Sequence, residues 1–189
     1  MRKVLVFSLI LLILLTVLPT ITAFIKDDKE KADYNLSTEN KEDNTEKIIE
    51  IALELADEDF CDEALKAVMI IVENNIECNS SAYNKEDKSK FSEDFYQRAE
   101  KLYTKAELKY MNKRVFVPTS WLSSGFTKED KDYPYIKSVA SPWDCFQDDF
   151  VYGKEYAEGV SLKGIDYLCK EGFSAKEALK WYLPEFEIK

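Results

Sequence analysis

Polar and aromatic residues suited to binding chemistry are concentrated in three short blocks in the last third of the chain. The blocks are Ser123-Ser-Gly-Phe-Thr127, Pro142-Trp-Asp144 and Gly159-Val-Ser-Leu-Lys-Gly164. Hydroxyls, a carboxylate and an indole at this spacing can line a binding site, or they can form tight turns with hydroxyl-to-backbone hydrogen bonds. The candidate binding residues are Ser123, Ser124, Gly125, Thr127, Trp143 and Asp144.

The chain contains no histidine. Ser-His-Asp and Cys-His hydrolases and the common histidine-containing zinc sites are therefore excluded within it. The cysteines show no Cys-x-x-Cys pair, and we expect neither a metal nor another cofactor. One or two disulfides are the first expectation for an exported protein and buried free thiols the second, with the connectivity open. The four cysteines are Cys61, Cys78, Cys145 and Cys169.

The N-terminus has the features of an export signal. Arg2 and Lys3 precede an apolar run from Val4 to Leu18, and Ala23 is a small residue suited to cleavage. The apolar stretch is also nearly long enough to span a bilayer. Residues 1–23 are therefore predicted to be a cleaved signal peptide or a membrane anchor, with the rest of the chain outside the cytoplasmic membrane of a bacterium.

The remainder divides into a polar tether at 24–44 and one domain at 45–189. The formal net charge of −10 argues against nucleic acid as a partner. It also argues against simple electrostatic adhesion to an anionic membrane or wall polymer.

Hydrophobic periodicity predicts an α+β domain, with a helical N-terminal half packed beside a small β-sheet and C-terminal helices. Within the C-terminal part, Gly172 marks the end of one helix, and Ser174-Ala-Lys-Glu177 is a capping box that starts the next. The predicted helices cover residues 46–56, 62–74 and 92–106, and the predicted sheet contains 114–118 and 135–139.

Several blocks, in this order, resemble motifs of the stage II sporulation protein D (SpoIID) family, which includes an amidase enhancer. Phe60-Cys-Asp-Glu-Ala-Leu-Lys-Ala67 is similar to the segment that follows the family's catalytic glutamate. The motifs that continue the resemblance are Tyr110-Met-Asn-Lys-Arg-Val-Phe-Val-Pro118, Ser123–Thr127, Pro134–Asp144, Gly159–Gly164 and Glu177–Pro184.

The resemblance implies an activity on the glycan strands of peptidoglycan. Members of the family cleave strands stripped of stem peptides by lytic transglycosylation during engulfment in sporulation. One protonated carboxylic acid is sufficient for such chemistry, because it can serve as acid and then as base. Glu54 is the candidate for this role, without a cofactor. The implied partners are glycan strands and, in addition, a cell-wall amidase or another engulfment protein.

Some positions depart from the family pattern. An ungapped count places Leu55 at the catalytic position, so that Glu54 fits with a shift of one residue. Glu73 stands where the family has arginine, and Leu162 where it has glutamine. Three alternatives stay open: an active lytic transglycosylase, a catalytically eroded domain that binds peptidoglycan or assists an amidase, and an exported domain that shares only the scaffold.

Overall fold

The computed structural model describes residues 44–79, 83, 91–129, 131–152 and 159–189. The chain divides into two units, Met1–Asn44 and Thr45–Lys189, and only the second is described below. The predicted signal or anchor lies outside the described residues, as does the predicted tether apart from Asn44. No helix among the described residues is long and apolar enough to span a bilayer.

The central helix of the domain is Asp62–Cys78, called α2 below. It is apolar on nearly all sides, as expected for a helix that other helices enclose. Its residues from Ala67 to Ile76 are buried without interruption, and it contacts each of the other four α-helices among the described residues. The five helices are α1 (Thr45–Leu55), α2 (Asp62–Cys78), α3 (Glu93–Leu102), α4 (Leu162–Lys170) and α5 (Ala175–Tyr182). The three predicted N-terminal helices are present, although α2 is longer and α3 shorter than predicted.

The strands are short and pair across large sequence separations. β1 (Leu108–Tyr110) is antiparallel to β4 (Phe186–Ile188), with Tyr110 opposite Phe186. β2 (Thr119–Ser120) is parallel to β3 (Val160–Ser161). A 3-10 helix covers Pro142–Phe146. The domain is α+β, as the sequence predicts.

The predicted strands at 114–118 and 135–139 were wrong, since neither segment is a strand. Side chains of α2 take the place of a neighbouring strand. Asn74 Nδ2 donates to the Val115 carbonyl at 2.8 Å. Asn75 Nδ2 donates to the Val117 carbonyl at 2.8 Å, and its Oδ1 accepts from the Val117 amide at 2.7 Å. The Val115 and Val117 backbone groups are therefore hydrogen-bonded, but to side-chain amides of a helix rather than to a strand.

The helix end at Gly172 and the capping box at Ser174, both predicted from the sequence, are confirmed. Gly125 and Gly172 have φ values of +92° and +99°, which favour glycine. Ser174 and Glu177 form both hydrogen bonds of a capping box at the start of α5. Ser161 caps α4 by accepting from the Gly164 amide at 3.0 Å. These caps set the start points of the two C-terminal helices, which carry much of the site described next.

Candidate functional site

The three sequence blocks meet at the N-terminus of α4. Ser123 follows β2, Asp144 lies in the 3-10 helix, and Ser161 caps α4. The Ser123 amide donates to Asp144 Oδ2 at 2.8 Å. Asp144 and Ser161 are both 0% exposed. Residues that are widely separated in sequence therefore form one buried polar cluster.

Asp144 is the ionisable centre of this cluster. Burial raises its pKa, and the nearby hydroxyls of Ser123, Ser161 and Ser141 partly oppose that rise by stabilising the carboxylate. Among the described residues, Oδ1 has no partner with full hydrogen-bond geometry. Because the Asp144 side chain is enclosed, its carboxylate does not face solvent. The role of the cluster is to hold three segments of the chain together.

Tyr182 of α5 extends the cluster and joins it to the surface. Its hydroxyl is 2.7 Å from Ser141 Oγ and accepts from Trp143 Nε1 at 3.1 Å. The side chain is 1% exposed, and burial raises the pKa of its phenol. A Cβ at Gly164 would lie 2.0 Å from the Tyr182 hydroxyl, so the glycine is required by this close approach.

Trp143, Tyr167 and Trp181 form an aromatic platform beside the buried cluster. The rings of Trp143 and Tyr167 are stacked, with centroids 5.2 Å apart and planes at 6°. The Trp181 ring is 5.6 Å from Trp143 and inclined at 56°. Trp181 and Tyr167 are 40% and 37% exposed. The platform is therefore open to solvent at Trp181 and Tyr167, while Trp143, which stacks on Tyr167, is half-buried.

The polar edges of the two indoles are hydrogen-bonded within the domain. Trp181 Nε1 donates to the Ala140 carbonyl at 2.9 Å, while Trp143 Nε1 is held by Tyr182. These hydrogen bonds fix the ring orientations and leave apolar ring surface exposed. Phe146, strongly exposed, stands three residues after Trp143 in the 3-10 helix, where side chains at that spacing share a face. A rigid aromatic surface of this kind suits a ligand with flat apolar faces, such as a sugar ring.

The remaining predicted binding residues have structural partners. Thr127 is buried, and its hydroxyl donates to the Lys137 carbonyl at 2.9 Å and accepts from the Val139 amide at 2.8 Å. The Gly125 carbonyl accepts from the Ser141 amide at 2.8 Å. Ser124 is half-buried in the same loop. The structure thus brings Ser123 and Asp144 together, while Thr127 and Gly125 stabilise the loop around them.

Glu54, the predicted catalytic acid, is exposed near the C-terminal end of α1. Among the described residues it has no hydrogen-bond or ion-pair partner, and no contact joins it to Asp144. Neighbouring Leu55 is half-buried. Glu73, which replaces the family's arginine, is buried and accepts from the Ala106 amide at 3.2 Å. The Glu73 carboxylate therefore holds the backbone of the segment that follows α3.

A second aromatic cluster surrounds Lys163. Its ammonium lies 4.7 Å from the Trp121 ring centroid and 5.2 Å from that of Phe60, and it pairs with Asp57 at 2.7 Å. Trp121 and Phe60 are stacked at 5.8 Å. Phe60 and Lys163 both pack against the Trp121 ring, which leaves less of it free to stack on a ligand. Cation–π contact and packing account for this cluster.

An open groove of about 520 Å³ lies beside the end of α2. Arg114 in its wall pairs with Glu77 at 2.6 Å and with Glu107 at 3.4 Å. Since carboxylates of the same domain balance the guanidinium, the groove is less suited to an anionic ligand than its arginine suggests. It is lined by Cys78, Asn79, Arg114, Val115, Phe116, Tyr133 and Tyr135.

Sequence reasoning did not identify Ser141, Tyr167, Trp181 and Tyr182 as parts of the site. The first is enclosed with Asp144, and the others come from α4 and α5. Gly164 inside a helix was the one local signal, because glycine is costly there unless a close approach requires it. The chain matches no protein-family model, and no curated protein sequence matches it at a significant level.

Proposed function

We propose that this chain is an exported protein of the stage II sporulation protein D type that binds denuded glycan strands of peptidoglycan. The observation that carries the proposal is the exposed platform of Trp143, Tyr167 and Trp181, held by the buried cluster around Asp144. The resemblance of the sequence blocks to that family supplies the ligand class. Sugar rings present C–H faces that pack on aromatic faces, and the indole hydrogen bonds hold the platform ready without a large ordering cost.

Sedimentation with amidase-treated, purified sacculi tests the proposal. We expect the full-length chain to sediment with the sacculi. Trp181→Ala should weaken binding about two- to tenfold, since loss of an aromatic contact costs about 0.5–1.5 kcal/mol and 1.4 kcal/mol corresponds to tenfold. Tyr152→Ala is the matched control, because this tyrosine is 95% exposed and outside the platform. Equal binding by wild type and Trp181→Ala, or no binding by either, contradicts the proposal.

The same experiment distinguishes binding of the chain to glycan from binding of the chain to an amidase. On sacculi from which the amidase has been removed, the chain can bind only the glycan. If sedimentation requires added amidase, the chain is an interaction partner of that enzyme, and the glycan proposal fails.

A second candidate function is lytic transglycosylation with Glu54 as the proton donor. Its support is the family resemblance together with the exposure of Glu54, which leaves the carboxyl accessible to a polymer. General acid catalysis contributes about 10²–10⁴-fold to such a reaction. Glu54→Gln should therefore abolish release of anhydro-sugar products while binding is kept, and exposed Glu58→Gln is the matched control. If the wild-type chain binds strands but releases no anhydro product, binding is its function.

A further inference from the structure

Cys61 and Cys169 lie side by side although 107 residues separate them in the chain. The Cys61 amide, at the N-cap of α2, donates to Asp166 Oδ1 at 2.9 Å. Asp166 and Cys169 are three residues apart on α4 and so share one helical face, with Cβ atoms about 5–6 Å apart. Both are free thiols in this structure, and Cys61 is near enough to contribute to the raised pKa of the Cys169 thiol.

The other two cysteines have different surroundings. Cys78 ends α2, seventeen residues long, so the rise of about 1.5 Å per residue places it about 25 Å from Cys61. Cys145 is exposed on the 3-10 helix, where its Sγ would lie 3.0 Å from a Cβ at Gly125. Of the three connectivities open to four cysteines, only one joins Cys61 to Cys169, and the structure favours that pair.

We infer that Cys61 and Cys169 form a structural disulfide that ties the start of α2 to the end of α4. A disulfide needs Cβ atoms about 3.5–4.5 Å apart, so the bond would hold the start of α2 and the end of α4 at that separation. The bond would close a loop of about 100 residues, for which the chain-entropy stabilisation is large. It would fasten α4, the helix that carries Tyr167 of the platform, to the central helix.

Oxidation of the Cys61 and Cys169 thiols balances when another disulfide is the oxidant. One of the two cysteine thiolates, here that of Cys61, attacks one sulfur of the oxidant, forms a mixed disulfide and expels a thiolate. The Cys169 thiolate then attacks the Cys61 sulfur and expels the second thiolate. Two protein thiols lose two electrons and two protons, and the oxidant's disulfide becomes two thiols. In the cell the oxidant would be the disulfide of an exported thiol oxidoreductase.

Burial makes the order of folding and oxidation important. Cys169 is 8% exposed, and burial raises the pKa of its thiol to about 12, with smaller contributions from Cys61, Glu63 and Asp166. The folded protein therefore holds little Cys169 thiolate at neutral pH, and thiolate is the attacking species. The disulfide is expected to form while the chain folds, before α4 packs on α2.

Oxidative refolding tests the inference. The export that belongs to the proposed function would supply the oxidising compartment, but here glutathione supplies the oxidant, so failure of glycan binding leaves this result unaffected. The full-length Cys78→Ser/Cys145→Ser variant is reduced, denatured and refolded with reduced and oxidised glutathione. We expect a mass loss of two hydrogens, a peptide linking Cys61 to Cys169, and a Tm about 10 °C above that of the same protein with reductant.

Cys61→Ser/Cys169→Ser is the matched control, which should form no intramolecular disulfide and show a Tm independent of reductant. Non-reducing peptide mapping of refolded wild-type protein checks the pairing without any substitution. The inference is overturned if both thiols stay free after refolding, if the linked peptides join other cysteines, or if the oxidised form melts no higher than the reduced form.

Discussion

Replacing Gly164 with alanine should destabilise the domain, although helix propensity alone predicts the opposite. Alanine is better than glycine inside a helix by about 1 kcal/mol. At this position, however, a Cβ would lie 2.0 Å from the Tyr182 hydroxyl and 2.8 Å from Ser141 Oγ. Tyr182 has no free space to move into because it is 1% exposed.

The expected cost combines overpacking with displaced hydrogen bonds. Overpacking costs about 1–3 kcal/mol, and each of the two hydrogen bonds at the Tyr182 hydroxyl contributes about 1 kcal/mol. After subtraction of the propensity gain of about 1 kcal/mol, we expect the free energy of unfolding of Gly164→Ala to fall by about 2–4 kcal/mol. Displacement of the Tyr182 hydroxyl would also remove the acceptor of the Trp143 indole N–H. Binding of the variant to sacculi should therefore weaken as well.

A double-mutant cycle by urea denaturation isolates the contact. Tyr182→Phe removes the hydroxyl that the new methyl would meet, so the double variant should be more stable than the sum of the single effects by about 1–2 kcal/mol. Gly172→Ala is the control: nothing lies within 4 Å of its Cβ, and φ is +99°, so it should lose about 1 kcal/mol through backbone strain and show no coupling to Tyr182. A stable Gly164→Ala variant, or strictly additive effects with Tyr182→Phe, would refute the reasoning.

Three further predictions concern the buried polar groups and a helix cap. Asp144→Ala should cost about 1–3 kcal/mol because it leaves the Ser123 amide without an acceptor, whereas Asp144→Asn keeps an acceptor. As the folded-state pKa of Asp144 is raised, wild-type stability relative to Asp144→Asn should fall as pH rises from below its ordinary value of 3.8 towards neutrality. Asn75→Ala should cost about 2–4 kcal/mol because both Val117 backbone groups lose their partner. Ser174→Ala should cost about 1 kcal/mol.

Chemical denaturation measures all three, with the Asp144 pair followed across pH. Equal stability of Asp144→Ala and Asp144→Asn would contradict the role of the carboxylate as an acceptor, and a pH dependence of opposite sign would contradict the raised pKa. Ser174→Thr serves as control for the cap, since threonine can also accept the amide hydrogen bond. If Asn75→Ala were as stable as the wild type, water would have replaced the two hydrogen bonds from the Asn75 side chain to the Val117 backbone, and the prediction would be wrong.

Local features of the structure could be predicted because they depend on residues within about four positions. The capping box at Ser174, the cap at Ser161 and the positive φ values of Gly125 and Gly172 each follow from a short pattern. The apolar pattern at 62–74 likewise predicted the helix α2. The same local reasoning failed at Val115, whose carbonyl accepts a hydrogen bond from Asn74 of α2 and not from a neighbouring strand.

The sequence by itself determined the α+β class, the helices, their caps and the set of blocks from which the site is built. Only the tertiary structure decided which residues meet: Asp144 with Ser123, Tyr182 with Trp143, and Cys61 with Cys169. No local pattern records these pairs, because residues some 20 to 108 positions apart come together only when α4 and α5 pack on α2. Burial then decides their chemistry, since it encloses Asp144 as an internal acceptor and leaves Trp181 and Tyr167 of the platform exposed to solvent.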